Sequence, residues 1–111
     1  MIVLIVAIPC FGLGGLDDYL SLRLEAANCM TIVDVVDNVI RGVVVFRLPP
    51  FNHGNIESVL VNVLLATEVD VIMTCDVSEE LKRRIEERGI KIIIVEKGLT
   101  VEEALKTLTS A

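Results

Sequence analysis

The chain has 111 residues, 53% of them hydrophobic, which fits one compact domain over residues 1–111 with a substantial core. Only 4% are aromatic and tryptophan is absent, so Val, Ile and Leu must fill the interior, a composition suited to strands buried on both faces. A net charge of −6 argues against nucleic acid as a partner, since phosphate binding needs a basic surface, and disfavours an anionic membrane surface.

The opening run "MIVLIVAIPCFGLGGL" carries no charge. No Lys or Arg precedes it, and Pro9 and the glycines break it well short of a bilayer span, so it reads as the central strand of a cytoplasmic protein rather than a leader or membrane segment. Three cysteines, an odd number, fit a reducing compartment better than a disulfide framework. Within the run, "IVLIVAIP" is continuously apolar and predicts a strand covered on both faces. "MTIVDVVD" and "IRGVVVFRL", separated by "DN", predict a two-strand hairpin, and "PPFNHG" then interrupts the pattern.

From Asn55, "NIESVLVNVLLATE" places Ile56, Val59, Leu60, Val63 and Leu64 on one helical face. "VDVIMT" is a short buried strand. "DVSEELKRRIEERG" predicts a helix with a capping signal from Asp76 to Glu79 and a stop at Gly89; Glu79–Arg83 and Glu80–Arg84 support its outer face. "IKIIIVE" is a further strand, and "TVEEALKTL" a last helix with Thr100 and Glu103 as a capping box. Strands alternating with helices after the hairpin call for an α/β fold, with parallel strands, right-handed crossovers and helices on the sheet faces.

In such a fold Cys10 ends the first strand and Cys29 starts the second. His53 lies between the third strand and the first helix, and Cys75 ends the fourth strand. All four fall at the carboxyl edge of the parallel strands, where open α/β sheets bind ligands. Three thiols and an imidazole form a possible soft-metal or iron–sulfur ligand set. There is no C-x-x-C pair, however, and isolated buried cysteines also serve as small hydrophobes, so both readings stand. His53 likewise reads either as a ligand at a helix terminus or as a solvent-facing histidine bonded to its own turn.

Other chemistries find less support. In "GLGGLD" the third glycine of a dinucleotide fingerprint would fall at Asp17, Asp17 and Asp18 would repel a pyrophosphate, and no G-K-S/T pair exists for a P-loop. Gly12, Gly14 and Gly15 read as a tight turn. The aspartates are dispersed, without the convergence a two-metal hydrolase needs. Cys10 or Cys75 with His53 could form a nucleophile–base pair, but no third group is placed to orient it. "KRRIEER" is a solvated helix face.

An initial apolar strand, "GLDD", "TIVDV", "NHG" opening a helix, and then "EVDVIM", "RGIKIIIVEKG" and "TVEEAL" resemble the dinitrogenase iron–molybdenum cofactor biosynthesis family, meaning NifX-like proteins and the C-terminal domain of NifB. The resemblance covers nearly the whole chain. It implies a ribonuclease H-like three-layer α/β/α fold whose five-stranded mixed sheet has order 3-2-1-4-5 with strand 2 antiparallel. It also implies a small non-catalytic carrier of an iron–sulfur or iron–molybdenum type cluster, with a metallocluster donor or acceptor protein as partner. Where family members show a segment like S-x-H-F-G-R-A, this chain has Ser21 to Ala27: Arg23 takes the histidine position, Glu25 the glycine and Ala26 the arginine. After the fourth strand Thr74 and Cys75 replace a frequent glycine pair, while His53 and Gly54 keep the family's H-G step. The expected cofactor contacts are therefore His53, Gly54 and Arg23, and the expected metal ligands Cys10, Cys29, Cys75 and His53. Loss of the S-x-H-F-G-R-A residues also motivates an alternative, an interaction or regulatory domain that keeps the fold and binds no metal. A cysteine-nucleophile enzyme is a third reading.

Overall fold

A computed structural model describes residues 2–48 and 56–109. Strand β1 (Val3–Cys10) sits at the centre of the sheet. Its side chains alternate between two cores, Val6, Ile8 and Cys10 to one and Ala7 to the other. Both faces are dry, which is why the sequence shows an unbroken apolar run instead of a polar–apolar alternation.

Strands β2 (Cys29–Val36) and β3 (Val39–Arg47) form the expected hairpin. Asp37 and Asn38 close it with φ of 50° and 67°. Two successive left-handed residues match the twist of a tight hairpin, and short polar side chains tolerate that region best. The chain continues through helix α1 (Ile56–Ala66), strand β4 (Val71–Thr74), helix α2 (Glu79–Glu87), strand β5 (Lys91–Ile94) and helix α3 (Val101–Thr109). The sheet order is β3-β2-β1-β4-β5; β2 is antiparallel to both neighbours, and β4 is parallel to β1 and β5. This is the arrangement that the family resemblance implied.

Helices α1 and α2 cover one face, where Leu60, Leu64, Leu81 and Ile85 meet Ala7, Met30, Ile32 and Ile72. Helix α3 covers the other, with Val101, Ala104 and Leu105 against Val6, Ile8, Val33 and Met73. Each fully buried Leu or Ile contributes roughly 1.5–3 kcal/mol. Isolated helices this short are marginal in water, so these stripes rather than helix propensity hold them in place.

The caps follow local chemistry, with one correction. Thr100 and Glu103 form the expected box: the Glu103 N–H donates to Thr100 Oγ1 at 3.2 Å and the Thr100 N–H to Glu103 Oε1 at 3.0 Å. Helix α2 is capped by Ser78, whose Oγ accepts from the Leu81 N–H at 3.3 Å. Asp76 instead accepts from the Val77 N–H at 2.9 Å. The helix begins at Glu79, so the residue just before it, in extended conformation, takes the capping position.

Pro9 decides how the site is assembled. The Asp70 N–H donates to the Ile5 carbonyl at 2.8 Å, so the backbone groups of Ile5, and by the two-residue period Ala7 and Pro9, face β4. Pro9 has no N–H to give, and the β1–β4 pairing stops at Ala7↔Ile72. The β1–β2 connection takes the space: the Ser21 N–H donates to the Pro9 carbonyl at 2.9 Å, and Leu20 bridges opposite Cys10. Leu20 belongs to the α3-side core and Leu24 to the α1–α2 side, so the connection crosses the sheet edge from one layer to the other.

Candidate metal site at the carboxyl edge of the sheet

Cys10 closes β1 and Cys29 opens β2, and the antiparallel register sets them directly opposite each other. Opposed residues in a sheet share a face, here the α3-side core. Both thiols and a carboxylate oxygen of Asp18 lie within 4.8 Å of one another. Cys10 Sγ stands 3.1 Å from Thr31 Oγ1, and the Cys29 thiol donates to the Gly12 carbonyl at 3.3 Å.

The glycine turn is folded onto these thiols by Asp18. Its Oδ2 accepts from the Gly12 and Gly14 N–H groups at 2.9 and 2.8 Å, and its Oδ1 from the Tyr19 N–H at 2.8 Å. The Gly15 N–H donates to Thr31 Oγ1 at 3.1 Å, and the Asn28 amide donates to the Phe11 carbonyl. The donors that could have cradled a phosphate are thus taken by the chain's own Asp18 carboxylate and Thr31 hydroxyl. The turn is structural, as the sequence suggested, and a Cβ on Gly14 would stand 3.1 Å from Cys29 Sγ.

Burial pushes the Cys10 thiol up to about 12, partly opposed by its hydrogen bond with Thr31. Burial also raises Cys29; the Asp18 carboxylate adds to the effect and Arg47 works against it. A bound cation must therefore displace protons from both sulfurs, which couples loading to pH. Asp18 has about four lone-pair positions, of which three are used, so one remains for a ligand.

A pH test follows for the metal-free protein. Folded Cys10 keeps its proton where the unfolded chain, near the ordinary 9.0, loses it. Its contribution to stability is full below about pH 9 and declines as pH rises towards 12, with a slope of at most about 1.4 kcal/mol per pH unit. Urea unfolding at pH 8 and pH 10.5 should show a smaller pH-dependent loss for Cys10→Ala than for the wild type; equal losses would contradict the assignment.

Cys75 and Arg23 lie apart from this group. Cys75 is buried in the same core, with its thiol directed at the Glu96 carbonyl at 3.6 Å. It lies outside the Cys10–Asp18–Cys29 group because Leu20 fills the slot beside Cys10 that β4 would otherwise occupy. Arg23 is largely exposed, and its guanidinium pairs with Glu25 at 3.2 Å. Glu25 in turn accepts from the Ser78 N–H, and Leu24 packs in the core under α1 and α2, so this segment serves the opposite layer. His53 and Gly54 lie outside the described residues.

Asp18 and Thr31 were not singled out by sequence. For Asp18 a signal existed: a carboxylate a few residues after a glycine turn commonly folds back on that turn's N–H groups. Thr31 offered none, since only the strand register aims it at Cys10. Beside the thiols opens a cleft of about 410 Å³ lined by Gly12, Leu13, Asn28, Cys29, Arg47 and Leu48. Of the three cysteines, Cys29 alone reaches it among the described residues.

Residues 5–111 match the family described as dinitrogenase iron-molybdenum cofactor. The chain belongs to this dinitrogenase iron–molybdenum cofactor family. Solved structures agree on the fold. A candidate NifB protein from Thermotoga is 26% identical with a TM-score of 0.78, over 97% of this chain and 89% of that one. The apo form of the orange protein from Desulfovibrio gigas is 22% identical with a TM-score of 0.79, over 96% and 87%. A candidate dinitrogenase from Methanocaldococcus jannaschii is 23% identical with a TM-score of 0.70, over 99% and 91%. No curated protein sequence matches the chain. Among the described residues no helix is long and apolar enough to cross a membrane.

Proposed function

We propose that residues 1–111 act as one non-catalytic domain that carries an iron–sulfur or iron–molybdenum type cluster between a donor and an acceptor protein. The observation that carries the reading is the Cys10–Asp18–Cys29 group at the ligand edge of a fold whose family is described by that cofactor. Two soft sulfurs suit iron or molybdenum clusters, and the carboxylate adds a hard oxygen. The cluster is cargo. The chain's part is to supply sulfurs, exclude water beneath the glycine turn, and release two protons on loading. His53 and Gly54, at the family's H-G step, complete the proposed contact set.

Anaerobic reconstitution with iron, sulfide and molybdate, followed by metal analysis and an absorption spectrum, tests the reading. Wild type and Cys75→Ser should load alike, whereas Cys10→Ser and Cys29→Ser should lose at least about tenfold in bound metal, the usual scale for a missing ligand or its support. A second reading, an interaction domain without metal, is favoured by β3, where Val43, Val44, Val45 and Phe46 are all exposed at the sheet edge. Colourless wild-type protein that refuses reconstitution would leave that reading standing.

A further inference from the structure

We infer that Cys10 and Cys29 are a reversible dithiol–disulfide pair across β1 and β2, with Cys29 as the sulfur that meets the oxidant. The pairing geometry carries this. Directly opposed residues of an antiparallel pair stand roughly 4.5–5.5 Å apart at Cα, inside the roughly 4.4–6.8 Å that a disulfide spans. The two residues are register partners, their side chains share a face, and their sulfurs are already within 4.8 Å. Joining them brings the two sulfurs from that separation to the roughly 2.05 Å of an S–S bond. Both are free thiols, as is Cys75.

Position divides the roles. Both residues are buried, Cys10 at 0% and Cys29 at 1% exposure, but Cys29 borders the cleft and Cys10 does not, so an oxidant reaches Cys29 first when the cleft wall opens. Arg47 lines the same cleft and places a positive charge where an anionic disulfide such as oxidised glutathione would enter. Cys75 is excluded from the pair by Leu20, and its own partner is a carbonyl. In a reducing compartment a disulfide of this sort is a sensing or regulatory bond rather than a structural one.

The exchange balances with an external disulfide as oxidant. The Cys29 sulfur attacks one sulfur of glutathione disulfide, the glutathione S–S bond breaks, and one glutathione leaves carrying the Cys29 proton. The Cys10 sulfur then attacks the Cys29 sulfur of the mixed disulfide. The second glutathione leaves with the Cys10 proton, and the Cys10–Cys29 bond remains. Two electrons pass to the external disulfide, which is reduced to two thiols. The reaction does not depend on cluster carriage. Where carriage holds, oxidation removes both sulfurs from the site and bars loading.

The test uses the metal-free full chain in buffers of reduced and oxidised glutathione, with intact-mass and peptide mapping. Wild type and Cys75→Ser should each lose two hydrogens, yield one cross-linked peptide joining Cys10 to Cys29, and return to the dithiol with excess reduced glutathione. Cys10→Ser should stop at a glutathione adduct on Cys29, and Cys29→Ser should give no adduct at Cys10. A lasting glutathione adduct in the wild type, Cys75 in the cross-link, or no oxidation under buffers that oxidise the urea-unfolded chain would each overturn the inference. A chain that forms the disulfide yet never takes up metal would overturn carriage alone; one that loads metal and forms no disulfide would overturn this inference alone.

Discussion

Asp18→Ala is expected to lower folding stability by about 2–4 kcal/mol, less than three times the roughly 1.5–3 kcal/mol of one hydrogen bond to a charged acceptor, because water reaches the exposed and part-buried donors left behind. The carboxylate holds the Gly12, Gly14 and Tyr19 N–H groups together. The same segment also anchors α3: the Leu16 and Asp18 carbonyls accept from the Glu102 and Val101 N–H groups at 3.0 and 2.9 Å. These bonds fill positions left open in the first turn of any helix, so loosening the turn weakens the helix start as well. For a domain whose total stability is about 5–15 kcal/mol, this is a large share. Urea titration measures it. Asp18→Asn keeps one side-chain oxygen and should fall between alanine and wild type. An alanine variant as stable as wild type would show that the turn is held by something else.

Gly14→Ala is the second large effect, and two separable causes produce it. Gly14 has φ of +86°, a region that costs an L-residue roughly 1–2 kcal/mol. Its new Cβ would also stand 2.6 Å from Cγ1 of Val45, a β-branched side chain with little rotamer freedom. Overpacking of that kind costs about 1–3 kcal/mol, giving a sum of about 2–5 kcal/mol. Gly15 isolates the first cause, since its φ is +94° and nothing lies within 4 Å of its Cβ position. Gly15→Ala should therefore be the milder change. In the double variant Gly14→Ala/Val45→Ala the steric part should be recovered and the backbone part retained, so the two substitutions should couple in a double-mutant cycle. Additive costs would mean that the turn shifts away from β3 instead of pressing on it.

The sequence by itself determined whatever depends on near neighbours. The unbroken apolar run of β1 required a strand with both faces covered. The Asp37–Asn38 turn fixed the hairpin, and Thr100 with Glu103 fixed the start of α3. Each of these is settled by side-chain period or by bonds across a few residues, so the local pattern and the folded answer coincide. The same holds for the family: its motifs are short runs on those elements.

Only the tertiary structure decided the site. Cys10 ends β1, Cys29 begins β2 and Cys75 directly follows β4 at the expected edge, but strand register chose which sulfurs meet. Cys29 faces Cys10 because β2 pairs with β1 residue for residue. Cys75 is kept apart because Pro9 lacks a donor for β4 and Leu20 enters the gap. Arg23 is carried to the other layer by the same crossing, and Asp18 joins the thiols because the glycine turn offers it two N–H groups and Tyr19 a third. A long connection carries no period, and the partners of its polar groups come from distant strands. That is why the fold could be read along the chain while the grouping of its sulfurs could not.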